Sequence, residues 1–211
     1  MRTYEPHWFD VVWASPPCKE YSRAKSTGPP VAGGEPPNNW HRDLKAADQR
    51  VVATWEAIQY LQPKYWFVEN PVGLLKTREI MQLYAPYLHE VAYCKYGTEY
   101  RKGTNVWTNA ALMEPLKKCS NQDPCPAKKR YGRHTVSAQA GPSRNGTPGS
   151  GSGEHVYPIP IKLVHELFGE AYADWRDEHP ARTDGRGIEQ GIVACALIQQ
   201  ALSDVPYEVE S

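Results

Sequence analysis

The chain has 211 residues, enough for one domain with a small appendage and too few for two full enzyme domains. Its 24 Lys plus Arg balance 24 Asp plus Glu, which excludes a whole-molecule field drawing it to nucleic acid or membrane and leaves only local patches for that role. Hydrophobic residues make up 40% and charged residues 23%, an ordinary globular mix, while 19 prolines forecast long loops.

In chain order, Phe9-Asp10-Val11-Val12-Trp13-Ala14 reads as a buried strand that breaks into the stiff turn Ser15-Pro16-Pro17-Cys18. From Cys18 to Asn39 the density of Gly and Pro predicts a long, mobile loop of functional character. Leu44, Ala47, Val51, Val52, Trp55, Ile58 and Leu61 recur at helical spacing, which predicts an amphipathic helix over His41 to Leu61, ended by Pro63. Tyr65-Trp66-Phe67-Val68-Glu69 is a second strand, stopping at Asn70-Pro71. Strand, loop, helix, strand is the order of half a parallel α/β sheet, so the turns after Ala14 and Glu69 open on the same edge.

A short helix is expected over Ile80 to Tyr87, then a hairpin at the sheet's end from His89–Cys94 and Thr104–Thr108. Eleven of the nineteen residues from Ser137 to His155 are Gly, Ser or Pro, the composition of a flexible linker. Beyond it, Val156 to Ala171 reads as a docking segment and helix, and Gly187 to Ser203 as a further helix. The expected organisation is therefore a catalytic region over 1–136, a linker over 137–155 and a helical segment over 156–211 that docks on the domain. The apolar run from Gly191 to Leu202 is too short to span a bilayer and the N-terminus lacks a signal-peptide core, so a soluble intracellular protein with no membrane partner is expected.

Five cysteines in such a protein do not read as a disulfide framework, and each is weighed as buried hydrophobe, metal ligand or nucleophile. Cys18, held at a strand end by two prolines, is either a fixed nucleophile or a small buried hydrophobe. Glu69 at the second strand end would share its crevice. A thiolate and a carboxyl group so placed suit addition to an electron-poor heteroaromatic ring: sulfur attacks carbon while the acid protonates a ring nitrogen and keeps charge from accumulating, chemistry natural to a pyrimidine. Cys94, Cys119, Cys125 and His134 either meet as a tetrahedral structural zinc site or are unrelated cysteines and a surface histidine. Cys195, in an apolar run, reads as core, as do Trp55, Trp66 and Trp107. Residues 95–134 hold nine Lys or Arg against three acids, a net of +6, and residues 170–211 the reverse, a net of −6. The basic stretch, with Lys128, Lys129, Arg130 and Arg133, is either a phosphate-contacting surface or a solvated face neutralised by the acidic end.

Ser15-Pro16-Pro17-Cys18 and Glu69-Asn70-Pro71, in this order and strand setting, resemble the nucleophile and Glu-Asn motifs of the cytosine-C5 DNA methyltransferases. The longer strings from Trp13 to Ala24, Tyr93-Cys94-Lys95-Tyr96-Gly97 and Asn105-Val106-Trp107-Thr108-Asn109 are similar to compact members from phages, large viruses and algal or protist genomes, and the likeness runs from Tyr4 to Phe168. The resemblance implies a partial Rossmann-like methyltransferase sheet, with DNA as partner in a viral, phage-host or nuclear setting. Within it Cys18 attacks C6 of a flipped cytosine and Glu69 contacts N3 and the exocyclic amine, flanked by Pro17 and Asn70. It further implies S-adenosylmethionine at Ser15 and Pro16, and DNA contacts from Ser22 and Arg23. A Gln-x-Arg-x-Arg motif of the family falls on Tyr100, Lys102 and Thr104, where Lys102 supplies a point charge without a planar fork. The family's Phe-x-Gly-x-Gly cofactor turn has no counterpart ahead of Cys18, which only seventeen residues precede. The cofactor site is thus expected to be incomplete and the first strand to have an open edge. A second polypeptide supplying the cofactor half, a longer reading frame, a remnant, or a DNA-binding or partner subunit without catalysis are the readings left open.

Overall fold

The computed structural model describes residues 4–22, 42–112, 114–136, 138 and 159–178. Arg23, most of the loop expected after Cys18, the linker apart from Ala138, the helix expected from Gly187 and Cys195 lie outside the described residues.

Four strands, β1 (Val11–Ala14), β2 (Tyr65–Pro71), β3 (Leu88–Ala92) and β4 (Gly103–Thr108), form one mixed sheet in the order β1-β2-β4-β3. β1 and β2 are parallel, with Val11 opposite Tyr65 and Ala14 opposite Val68. β4 runs antiparallel to both β2 and β3, placing Val106 opposite Glu69 and Asn105 opposite Asn70. The parallel unit expected from sequence is confined to β1 and β2, joined through helix α1 (Leu44–Leu61). That helix starts at Leu44 rather than His41 because Asp43 caps it, its side chain accepting from the Ala46 amide at 2.9 Å. Gln62, in the left-handed conformation ahead of Pro63, ends it.

Period-two alternation divides the strand side chains between two cores. Val12, Ala14, Val68 and Trp107 pack beneath Val51, Trp55 and Ile58 of α1; Trp13, Phe67, Val91 and Val106 pack against Leu163 and Leu167 of helix α3 (Ile161–Glu178). Phe168 extends the second core by stacking on Trp13 at 5.8 Å. Trp55 and Trp107 are core residues as expected, and Trp66 is partly buried.

Several expectations are corrected. Val52 is 39% exposed, because the neighbouring Val51 takes the sheet-facing position. β2 runs on through Asn70 and Pro71, which β4 still pairs, so the strand does not stop at Asn70-Pro71 and Glu69 lies inside it rather than at its end. The segment Glu79–Tyr87 is a 3₁₀-helix, with Pro86 in its last turn. Cys94 leaves β3 and sits in a 3₁₀ turn, Tyr93–Tyr96. A short helix, α2 (Pro126–Tyr131), follows Cys125. Among the described residues no helix is long and apolar enough to cross a membrane.

Candidate active site

Since Ala14 pairs with Val68, Ser15 and Glu69 come level at one edge of the sheet. In the turn beyond, Pro16 is buried, Pro17 exposed and Cys18 half-buried. The Asn70 amide crosses to this turn and donates to the Pro16 carbonyl at 2.9 Å, so the strand that carries Glu69 also sets the height of Cys18. A second clasp follows: the Tyr21 amide donates to the Cys18 carbonyl at 3.0 Å, and the Leu74 amide to the Tyr21 carbonyl at 2.9 Å. Gly73 allows that approach, since a Cβ there would stand 2.3 Å from the Tyr21 oxygen. Tyr21 is fully buried and its hydroxyl donates to Asp48 at 2.8 Å, which the Arg78 guanidinium also holds, at 2.6 Å. Arg42 of the segment before α1 donates to the carbonyls of Glu20 and Ser22. The first residues after Cys18 are therefore anchored.

Glu69 is only 7% exposed, on the face shared with Phe67. Its Oε1 accepts from the Tyr93 hydroxyl at 3.4 Å and lies 3.9 Å from the Lys102 ammonium, which in turn sits 4.9 Å from the Tyr93 ring centre. Burial pushes the Glu69 carboxyl above its ordinary range; the Lys102 charge and then the hydroxyls of Ser15, Tyr93 and Thr104 pull it back only in part. The Cys18 thiol is also raised, first by burial and then by the Glu69 charge, against the pull of Lys102. These two shifts are linked. A protonated Glu69 can donate a hydrogen bond and no longer opposes a neighbouring thiolate, leaving Lys102 as the charge that favours it. Burial thus favours the neutral form of both groups, and neutralising Glu69 removes one of the two causes that raise the Cys18 thiol.

The predicted residues separate into groups. Cys18, Glu69, Asn70, Lys102 and Thr104 are brought together, with Pro17 beside them; the Thr104 hydroxyl faces Glu69 without closing a hydrogen bond of standard geometry. Ser15 and Pro16 are engaged within the fold: the Ser15 hydroxyl accepts from Trp13 Nε1 at 2.9 Å, and the Pro16 carbonyl from Asn70. Ser22 bridges to Gly73, so its backbone belongs to the clasp. On and beyond α2, Lys129, Arg130 and Arg133 are exposed, whereas the Lys128 ammonium is held by Asn121 and the Ser120 carbonyl. Cys94, Cys119, Cys125 and His134 do converge, each offering a ligand atom within 4.8 Å of the others. Sequence reading missed Tyr93 as a partner of Glu69. Its signal was the alternation of β3, which puts Tyr93 on the same face as Val91. The Tyr21–Asp48–Arg78 anchor was missed as well, since its members are 27 and 30 residues apart and carry no local pattern.

No protein-family model matches the chain. A probable DNA (cytosine-5)-methyltransferase of Frog virus 3 (isolate Goorha) is 34% identical over 173 residues, a stretch covering 78% of this chain and 76% of the viral protein.

Proposed function

This chain belongs to the DNA (cytosine-5)-methyltransferase family, and from that premise we propose that it methylates C5 of cytosine in DNA with Cys18 as nucleophile and Glu69 as acid. The observation that carries the reading is the placement of Ser15, just past the end of β1, level with Glu69 of the parallel neighbour β2, locked by the bond from the Asn70 side chain to the Pro16 carbonyl. Ligands of open α/β sheets bind beyond such strand ends. A cytosine turned out of the duplex would meet both groups there. The Cys18 thiolate would add to C6 as Glu69 passes its proton to N3; the electron pair then resides on a neutral ring, and C5 becomes nucleophilic. Once C5 carries the methyl group the N3 proton returns to Glu69, and removal of the C5 proton by a base expels the Cys18 thiolate and restores the aromatic ring. Lys102, beside Glu69 and close enough to influence Cys18, supports the ionised sulfur. Tyr93 holds one oxygen of the Glu69 carboxyl through its hydroxyl.

S-adenosylmethionine is the methyl donor that the family implies. The described residues do not make up its site. Ser15 and Pro16 have their polar atoms engaged, and the glycines beside this edge, Gly73 and Gly103, are packed against Tyr21 and Val72. Among the described strands β1 pairs on one side only, and a second polypeptide adding strands there would supply the missing walls. The same observation favours a second reading, a DNA-binding or partner subunit that does not itself transfer methyl groups.

Labelled S-adenosylmethionine and duplex DNA containing 5-fluorocytosine separate the two. Methyl incorporation with a covalent protein–DNA adduct, lost in Cys18→Ser while non-covalent DNA binding persists, is the expected result. An adduct that survives Cys18→Ser removes the nucleophile assignment, and binding without transfer by the unaltered chain establishes the subunit reading.

A further inference from the structure

Cys94, Cys119, Cys125 and His134 take no part in the chemistry above, yet they come together from three places in the chain. Cys94 sits in the 3₁₀ turn after β3, Cys119 and Cys125 bracket the loop that leads to α2, and His134 follows α2. All three thiols are buried and free, so no disulfide accounts for their proximity. The His134 Nε2 lies 3.6 Å from Cys119 Sγ and 3.3 Å from Cys125 Sγ. A tetrahedral zinc ion with ordinary bond lengths to sulfur and imidazole nitrogen separates those two ligand atoms by about 3.5 Å. The set has the composition and spacing of a closed Cys3His site.

Packing gives an independent reason for an ion here. Helix α2 is six residues long and buries none of its side chains. A helix so short has negligible stability of its own. Beneath it lies a cluster of Ala92, Cys94, Cys119 and Cys125 with Ala127 against it, too little apolar surface to hold the segment. What the corner has instead is one ligand at each end of the helix, Cys125 before it and His134 after it, with Cys94 fixed to the sheet. From this we infer that the chain binds one structural zinc ion through Cys94, Cys119, Cys125 and His134, and that the ion fastens α2 and its exposed Lys129, Arg130 and Arg133 to the end of β3.

The consequence reaches the crevice, because Cys94 follows Tyr93, whose hydroxyl touches Glu69. The backbone around the turn is already held: the Tyr93 amide donates to the Lys102 carbonyl at 3.0 Å and the Ala92 amide to that of Lys117 at 3.0 Å, while the Lys95 side chain pairs with Asp123 at 2.5 Å. Zinc at Cys94 would hold this turn in the position that orients Tyr93.

The test uses the full chain, produced with zinc in the medium and purified without chelator. Elemental analysis should give about one zinc per chain, as a closed four-ligand site requires. Cys18→Ser should retain it, and the double variant Cys125→Ser with His134→Ala should lose it. Should that variant fail to fold, cobalt exchanged into the unaltered chain reports the ligands directly, through thiolate charge transfer and the intense visible bands of tetrahedral coordination. Trypsin provides a readout independent of activity: removing the ion with a mercurial should expose the bonds after Lys128, Lys129, Arg130 and Arg133 to cleavage at least tenfold faster. A folded chain that contains no zinc and takes up no cobalt overturns the inference, as does zinc retained by a folded double variant. Because none of these readouts needs methyl transfer, they stand or fall apart from the catalytic reading.

Discussion

The crevice between β1 and β2 and the cysteine–histidine corner beyond β3 are held together in opposite ways. Around Cys18 and Glu69 the sheet does the positioning: strand register, the bond from the Asn70 side chain to the Pro16 carbonyl and the Tyr21 to Leu74 backbone clasp all rest on a core that includes Val12, Phe67, Val68 and Trp107. Around Cys94 the apolar cluster is small, and the four side chains proposed as zinc ligands converge there instead. A site placed by the sheet keeps its geometry for as long as the domain is folded, whereas a site placed by ligands has an additional means of coming apart. The crevice should therefore be sensitive to changes in backbone packing, and the corner to whatever competes for its thiols.

The sharpest way to break the first region without touching a reacting group is Gly73→Ala. The new methyl group would lie 2.3 Å from the Tyr21 carbonyl oxygen, and that oxygen cannot withdraw without giving up its bond to the Leu74 amide. The expected cost is about 2–3 kcal/mol of stability, an overpacking penalty at the upper end of its range, read from urea unfolding. Zinc content at the corner should be unchanged. A variant as stable as the parent would mean that the clasp does not hold the Cys18 turn.

This contrast also governs what could be read from the sequence. The crevice was legible because proline-rich turns interrupt apolar strands, so Pro16-Pro17-Cys18 and Glu69-Asn70 stood out at predictable strand ends, and the β1–α1–β2 order placed them on one edge. Legibility stopped where contact depends on register. That β2 continues through Pro71, and that Asn105 comes opposite Asn70, follow from pairing with β4 and not from any local pattern. The four candidate ligands were visible as residue types, but their convergence depended on the path of 110–134, where the only helix among the described residues is the six-residue α2. Tyr93 was passed over as a residue of a hairpin strand, although it joins the two regions.

Tyr93→Phe tests that junction. It keeps the ring under the Lys102 ammonium and removes only the hydroxyl that helps to lower the Glu69 carboxyl. If Glu69 acts as the acid, activity falls on the alkaline side as this group loses its proton. Because the variant raises the Glu69 pKa further, the alkaline limb of kcat/KM should move to higher pH. The rate at neutral pH should change by less than about tenfold, at the low end of what one catalytic proton-transfer group contributes. A slower enzyme with an unmoved limb would reduce Tyr93 to a packing residue.

The smallest effect asked for concerns the basic face that the corner presents. Lys128 and Lys129 are neighbours on α2, yet the Lys128 ammonium is held by Asn121 and Ser120 while Lys129 is exposed. If the face binds DNA, Lys129→Ala should lower the slope of log affinity against log salt by about 0.9, the share of one phosphate contact. Lys128→Ala should change the slope less, since its ammonium is already held by Asn121 and the Ser120 carbonyl. Equal, negligible changes in both would identify α2 as a solvated face and move the DNA-contacting surface to the crevice side. A loss at Lys129 alone would mean that the corner fastens a phosphate-binding element beside the chemistry it serves.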